Sequence, residues 1–208
     1  MHILPQRLSL HKDLYNSLKL TTMKRIFCLE TEWDTSLHAL KSKSTVQSLL
    51  GFFEESLGVP YVFRQVATLD DFDFYISHLE NPSYDAYDIV YLCFHGMKGG
   101  IAFADESDYS LVKFAEDYKD IFKGRTVIFD CCSTLGFSRE DALYFKRKTG
   151  ARVLVGYTRD VKFVPSFVFE FWLLNAMRMN PDFGAKRLME LAENEMPVHV
   201  KKLGFITY

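Results

Sequence analysis

His95 and Cys132 are the side chains whose type and placement best suit nucleophilic chemistry. Each follows an apolar run. Residues 88–94 (DIVYLCF) lead into His95-Gly96, and residues 126–129 (TVIF) lead into Asp130-Cys131-Cys132-Ser133. Continuous apolar runs of this length read as strands buried on both faces, as in a parallel sheet. A free thiol ionises near pH ~8.5, and only its thiolate is a strong nucleophile. An imidazole alongside takes that proton or holds the thiolate, then protonates a leaving amine. The backbone N–H groups of Gly96 and Cys132 are candidates for an oxyanion hole, and Gly96 is expected to turn the chain sharply and leave the imidazole exposed. Alone, a His-Gly is usually a turn and a Cys after a strand is usually core packing; the ordered pair is what points to acyl transfer. Neighbouring side chains on extended chain face opposite ways, so one of Cys131 and Cys132 points inward and the other to the rim. Cys28 and Cys93 sit inside strand patterns and read as core.

The elements that must position this pair alternate from Lys24 onward. Strands are expected at 25–29, 61–66, 88–94, 126–129 and 152–157. Helices are expected at 44–57, with Ser44 and Gln47 as a capping box, at 69–79 after Thr68, and at 112–122. Further helices follow Ser138, ending at Gly150, and cover 166–179 behind Pro165 and 183–194. A small β-hairpin is expected within 99–111, and 198–206 reads as a final strand. Phe167, Phe169, Phe171 and Trp172 fall on a helix apolar enough to be core. The β-α-β order predicts an α/β sandwich: a mainly parallel sheet with helices on both faces. Ligands in such sheets sit beyond the carboxyl ends of the strands, where His95 and Cys132 both fall. Residues 23–208 read as one domain and 1–22 as an N-terminal extension.

Composition narrows the function classes. The chain has 208 residues, 48% of them hydrophobic and 15% aromatic, enough for a full core without disulfides or metals. A net charge of −2 offers no basic excess for nucleic acid or an anionic membrane. No apolar run reaches the roughly 18 residues of a membrane span. Four cysteines with no zinc spacing read as reduced thiols in a cytoplasmic protein. No glycine lies between Glu30 and Ser44, which removes a nucleotide-binding glycine loop after the first strand. No cofactor or metal is expected.

The His-Gly and Asp-Cys-Cys blocks together resemble the caspase-fold cysteine peptidases. Asp130-Cys131-Cys132-Ser133 is similar to the metacaspase block in which the second residue after Asp is the nucleophile, which favours Cys132 over Cys131. Cys132-Ser133-Thr134-Leu135-Gly136, the glycine-containing segment 99–111 and Gly150-Ala151-Arg152-Val153-Leu154-Val155 resemble CHAT domains more closely. The resemblance covers roughly 24–195 and departs at Leu135, which spaces Thr and Gly differently. It implies a caspase-like three-layer fold, a His95/Cys132 dyad and a protein or peptide substrate. It also implies that Asp130 helps bind a basic side chain before the scissile bond; the competing reading is that Asp130 caps the following turn. Glu32 and Asp160, beyond other strand ends, are further candidate pocket walls. Because caspase folds include inactive members, the alternative is a non-catalytic interaction module meeting a protein partner or regulator.

Overall fold

The computed structural model describes residues 24–33 and 45–208. The chain runs β1 (Ile26–Thr31), α1 (Gln47–Leu57), β2 (Tyr61–Val66), α2 (Leu69–Ile76), β3 (Ile89–Cys93), β4 (His95–Met97), β5 (Gly100–Ala102), β6 (Asp108–Ser110) and α3 (Leu111–Asp117). It continues through β7 (Thr126–Asp130), α4 (Arg139–Thr149), β8 (Val153–Tyr157), α5 (Phe163–Met179), α6 (Ala185–Glu195), α7 (Pro197–Leu203) and β9 (Phe205–Thr207). Six strands form one sheet in the order β2-β1-β3-β7-β8-β9, all parallel except β9. The strands β4-β5-β6 form a separate antiparallel sheet.

The apolar runs become the central strands because both their faces are covered. Phe27, Leu29, Val90, Leu92, Val127 and Phe129 belong to one core, with Phe72 of α2, Phe114 of α3 and Phe145 of α4. The alternate residues Cys28, Tyr91, Cys93, Ile128 and Val155 belong to the second, with Phe53 of α1, Phe169 and Leu173 of α5 and Leu188 of α6. This is the expected α/β architecture: two helical layers on a mainly parallel sheet. Among the described residues, no helix is long and apolar enough to cross a membrane.

Most expected boundaries agree with the structure, and the departures have local causes. The expected hairpin gains a third strand, because His95–Met97 pairs antiparallel with Gly100–Ala102. Residues 198–206 are mostly helix rather than strand: Pro197 opens α7, Gly204 in the left-handed conformation closes it, and only Phe205–Thr207 joins the sheet. Helix α5 begins at Phe163 and takes Pro165 into its first turn. Phe171, expected in the core, is 40% exposed, while Phe169 is fully buried. The proposed cap Ser44 and the extension 1–22 lie outside the described residues; α1 starts at Gln47, after Val46, which makes no side-chain cap.

Arg125 fastens the chain entering β7. Its guanidinium donates to the carbonyls of Tyr87, Ile121 and Leu79 at 2.9–3.2 Å and to Tyr84 at 3.4 Å. It thereby ties the turns before β3 to the turn before β7, the two strands that lead to His95 and Cys132.

Candidate active site

Strand register brings the two candidate residues together. β3 and β7 are parallel neighbours with Cys93 opposite Asp130. His95 and Cys132 each lie two residues beyond that matched pair, and both line the same cavity as Asp130. The intervening residues go the other way. Phe94 and Cys131 are buried in the core beneath α2 and α3, where the Cys131 thiol donates to Leu92 O at 3.3 Å and accepts from Phe94 N–H at 3.3 Å. Burial, reinforced by the Asp130 charge, pushes that thiol well above its ordinary pKa. Cys131 is thus a core residue and Cys132 the rim residue.

Gly96 is required for a different reason than a turn. It lies in β4 and is absent from the positive-φ glycines. A Cβ there would come within 2.1 Å of Cys132 O, 2.5 Å of Cys132 N and 2.6 Å of Thr134 Oγ1. The backbone beside His95 therefore packs directly on the backbone of Cys132, and only a residue without a side chain fits.

The segment after β8 holds the cysteine turn from outside. Ser133 N–H donates to Arg159 O at 2.9 Å, Leu135 N–H donates to Tyr157 O at 2.9 Å, and the Ser133 hydroxyl bonds the Asp160 carboxylate. These contacts support Ser133 at φ 54, a conformation uncommon for a residue with a side chain. Val161 N–H donates to Cys132 Sγ at 3.4 Å, a donor that a thiolate can keep. From inside, the buried Thr134 hydroxyl donates to Gly100 O at 3.0 Å, joining the turn to the small sheet.

His95 is exposed and lies edge-on to Trp33, with ring centroids 4.9 Å apart. Trp33 is held in turn by Glu30. One oxygen of this fully buried carboxylate accepts Trp33 Nε1–H at 2.8 Å, Thr45 N–H at 2.7 Å and the Thr45 hydroxyl at 2.5 Å. Its other oxygen has no partner among the described residues. Glu30 therefore fixes the two described ends of the chain that flank residues 34–44.

These residues surround a cavity of about 530 Å³. His95, Gly96 and Cys132 line it together with Trp33, Thr45, Val46, Phe94 and Val161, and Asp130, Asp160, Phe163, Ser166 and Glu170 complete it. Tyr91 Oη lies 2.8 Å from Glu170 Oε2 and 3.1 Å from Asp130 Oδ2, and Tyr157 Oη donates to Glu170 Oε1 at 3.0 Å. Burial pushes the Glu170 carboxyl well above its ordinary range, and the Asp130 charge adds to the shift. Burial also raises Asp130, against the hydrogen bonds from Glu170 and Tyr91. Among the described residues, no group of three His, Cys, Asp or Glu side chains converges as a metal site.

Residues 23–208 match DUF6642, a family of unknown function. The chain belongs to DUF6642. No curated protein matches it.

Of the residues singled out from the DUF6642 sequence, His95, Gly96, Asp130, Cys132 and Asp160 share the cavity. Glu32 does not: it is exposed just after β1 and is not among the lining residues. The buried acid at this edge is Glu30, two residues earlier at the end of β1. Asp160 lines the cavity with its carboxylate already engaged by Ser133. Glu170 and Trp33 were missed. Glu170 is the only charged residue in 163–177 (FVPSFVFEFWLLNAM), and a lone acid in so apolar a helix is a signal for a buried, partnered carboxyl.

Proposed function

We propose that this DUF6642 protein is a caspase-like cysteine endopeptidase in which Cys132 attacks the peptide carbonyl and His95 transfers the proton. The observation that carries this reading is that His95 and Cys132, each two residues beyond the matched Cys93–Asp130 pair, line one open cavity. His95 takes the thiol proton and returns it to the leaving amine, while water later releases the acyl group from sulfur. The N–H groups of Gly96 and Cys132 are the proposed donors to the oxyanion, on backbones that already touch. A preference for Arg or Lys before the scissile bond is supported by the lining, which holds Asp130, Asp160 and Glu170 and, among the described residues, no Lys or Arg. The four unpaired thiols suit a reducing compartment such as the cytoplasm.

The test is hydrolysis of fluorogenic peptides ending in Arg, Lys, Asp or Leu. Cleavage after Arg or Lys is expected, and it should vanish in both Cys132→Ala and His95→Ala. Undiminished cleavage in Cys132→Ala would contradict the mechanism, and cleavage after Asp alone would contradict the specificity.

A second reading, a non-catalytic interaction module, is favoured by one surface. Phe163, Val164, Val168 and Phe171 of α5 are 40–67% exposed, and Phe52 of α1 lies 5.3 Å from Phe171 between ring centroids. Apolar exposure of this kind marks many protein-binding faces. A folded protein that cleaves none of these peptides would favour this reading.

A further inference from the structure

The cavity contains a hydrogen-bond network whose protons can be counted. Glu170 is 2% exposed, and α5 carries it against the sheet rather than into solvent. Three phenol contacts tie the two carboxyls to the strand ends: Tyr91 Oη to Glu170 Oε2, Tyr91 Oη to Asp130 Oδ2, and Tyr157 Oη to Glu170 Oε1. A further hydrogen bond joins Glu170 to Asp130 directly. Each phenol has one O–H, and neither supplies the proton between the two carboxyls. With both carboxyls bare, that contact would set lone pair against lone pair in a desolvated site. A proton on Glu170 completes it. Glu170 then donates to Asp130, Tyr91 gives its one O–H to the carboxyl pair, and Tyr157 donates to Glu170 Oε1.

The surroundings act in the same direction. Burial and the Asp130 charge both push the Glu170 carboxyl upward, toward its neutral form. From β1, Glu30 adds negative charge near Asp130. The Cys28 and Cys93 thiols on β1 and β3 are pushed up by burial and carry no charge. Asp160 is the remaining acid in the lining. From α7, His199 stacks on Phe169, and from α6, Glu195 accepts Trp172 Nε1–H. The α1 residues in this core, Leu49, Leu50 and Phe53, are apolar. The lining itself supplies no Lys or Arg among the described residues to neutralise a second carboxylate.

We propose that Glu170 is a second specificity-determining carboxyl, and that docking of a guanidinium or ammonium side chain beside Asp130 expels the proton of Glu170 to solvent. This rests on reading the cavity as the site of a basic side chain. Before binding, the pair carries one negative charge and one proton. Afterwards it carries two negative charges facing the cation, and one proton has left through the open cavity. A neutral side chain of the same shape brings no charge to replace the proton and leaves it in place. Affinity for the cation therefore rises with pH, by about tenfold per unit while Glu170 remains protonated in the free protein.

Calorimetric titration with Nα-acetylarginine amide in two buffers of different ionisation enthalpy reads the proton count directly. About one proton released per ligand is expected, with the neutral isostere Nα-acetylcitrulline amide binding at least tenfold more weakly and releasing none. Glu170→Gln should bind the arginine amide without releasing a proton and with a flat pH dependence. The infrared difference spectrum of the unmutated protein gives a second readout, in which the protonated-carboxyl C=O band should be lost on adding the arginine amide. Arginine amide binding with no proton released, or with the same release in Glu170→Gln, would overturn the inference and leave the basic-side-chain reading standing. Failure of the arginine amide to bind, or equal binding by the citrulline amide, would overturn both. Neither result bears on the peptidase chemistry of Cys132, which is not used in the measurement.

Discussion

Cys131 and Cys132 are adjacent, yet at the turn that follows β7 one is sealed in the core and the other lines the cavity. The two substitutions should therefore fail differently. Cys131→Ala removes a donor to Leu92 O and an acceptor of Phe94 N–H, costing about 1–3 kcal/mol in urea denaturation with hydrolysis retained in the folded fraction. Gly96→Ala should be worse for function, since its methyl must displace the backbone of Cys132; about 2 kcal/mol of stability and nearly all hydrolysis should be lost. Wild-type hydrolysis rates in Gly96→Ala would contradict the close approach. Glu170 makes a pH prediction. A carboxyl raised in the folded state contributes stability that is fully present below the unfolded-chain value of about 4.3. That contribution is lost as pH rises through the folded value. The stability of the wild type relative to Glu170→Gln should therefore fall from acid toward alkaline pH when urea midpoints are compared, and parallel curves would contradict it.

At the scale of elements, the site is assembled by three clamps: β4 against the cysteine turn, the segment after β8 around Ser133, and Glu30 across Trp33 and Thr45. Glu30→Ala should release Trp33 from the edge of His95. In a Trp172→Phe background, where Trp33 is the sole indole, its emission should shift to the red and kcat/KM should fall at least tenfold; an unchanged spectrum would remove Glu30 from the account. Much of this scale was legible beforehand. The runs at β1, β3, β7 and β8 are continuous and apolar because buried parallel strands need no alternation, and the ends of β3 and β7 mark the edge where His95 and Cys132 line the cavity. The clamps were not legible. His95–Met97 has no strand pattern and becomes one only by pairing with Gly100–Ala102. Glu30 and Glu32 look alike in sequence, and only the length of β1 decides which is buried. Glu170 hides within a helix whose apolar character reads as plain core.

Across the molecule, two cores on opposite faces of one sheet meet the site from different sides: Cys131 and Phe94 belong to one, Tyr91, Tyr157 and Phe169 to the other. Arg125 links the turns that feed the central strands, with its fork spread over carbonyls of separate segments. Lysine cannot reproduce that fork, so Arg125→Lys should cost roughly 2–4 kcal/mol in denaturant unfolding; a cost below about 0.5 kcal/mol would contradict the linking role. The central claim is that these layers exist to present one sulfur to solvent beside one imidazole. Its most direct measurement is site-resolved mass spectrometry after treating the folded protein with an arginine-containing peptidyl electrophile. The account predicts a stoichiometric adduct on Cys132, none on Cys28, Cys93 or Cys131, and loss of the adduct in His95→Ala. An unmodified Cys132 in folded protein, or an adduct formed equally well without His95, would contradict it.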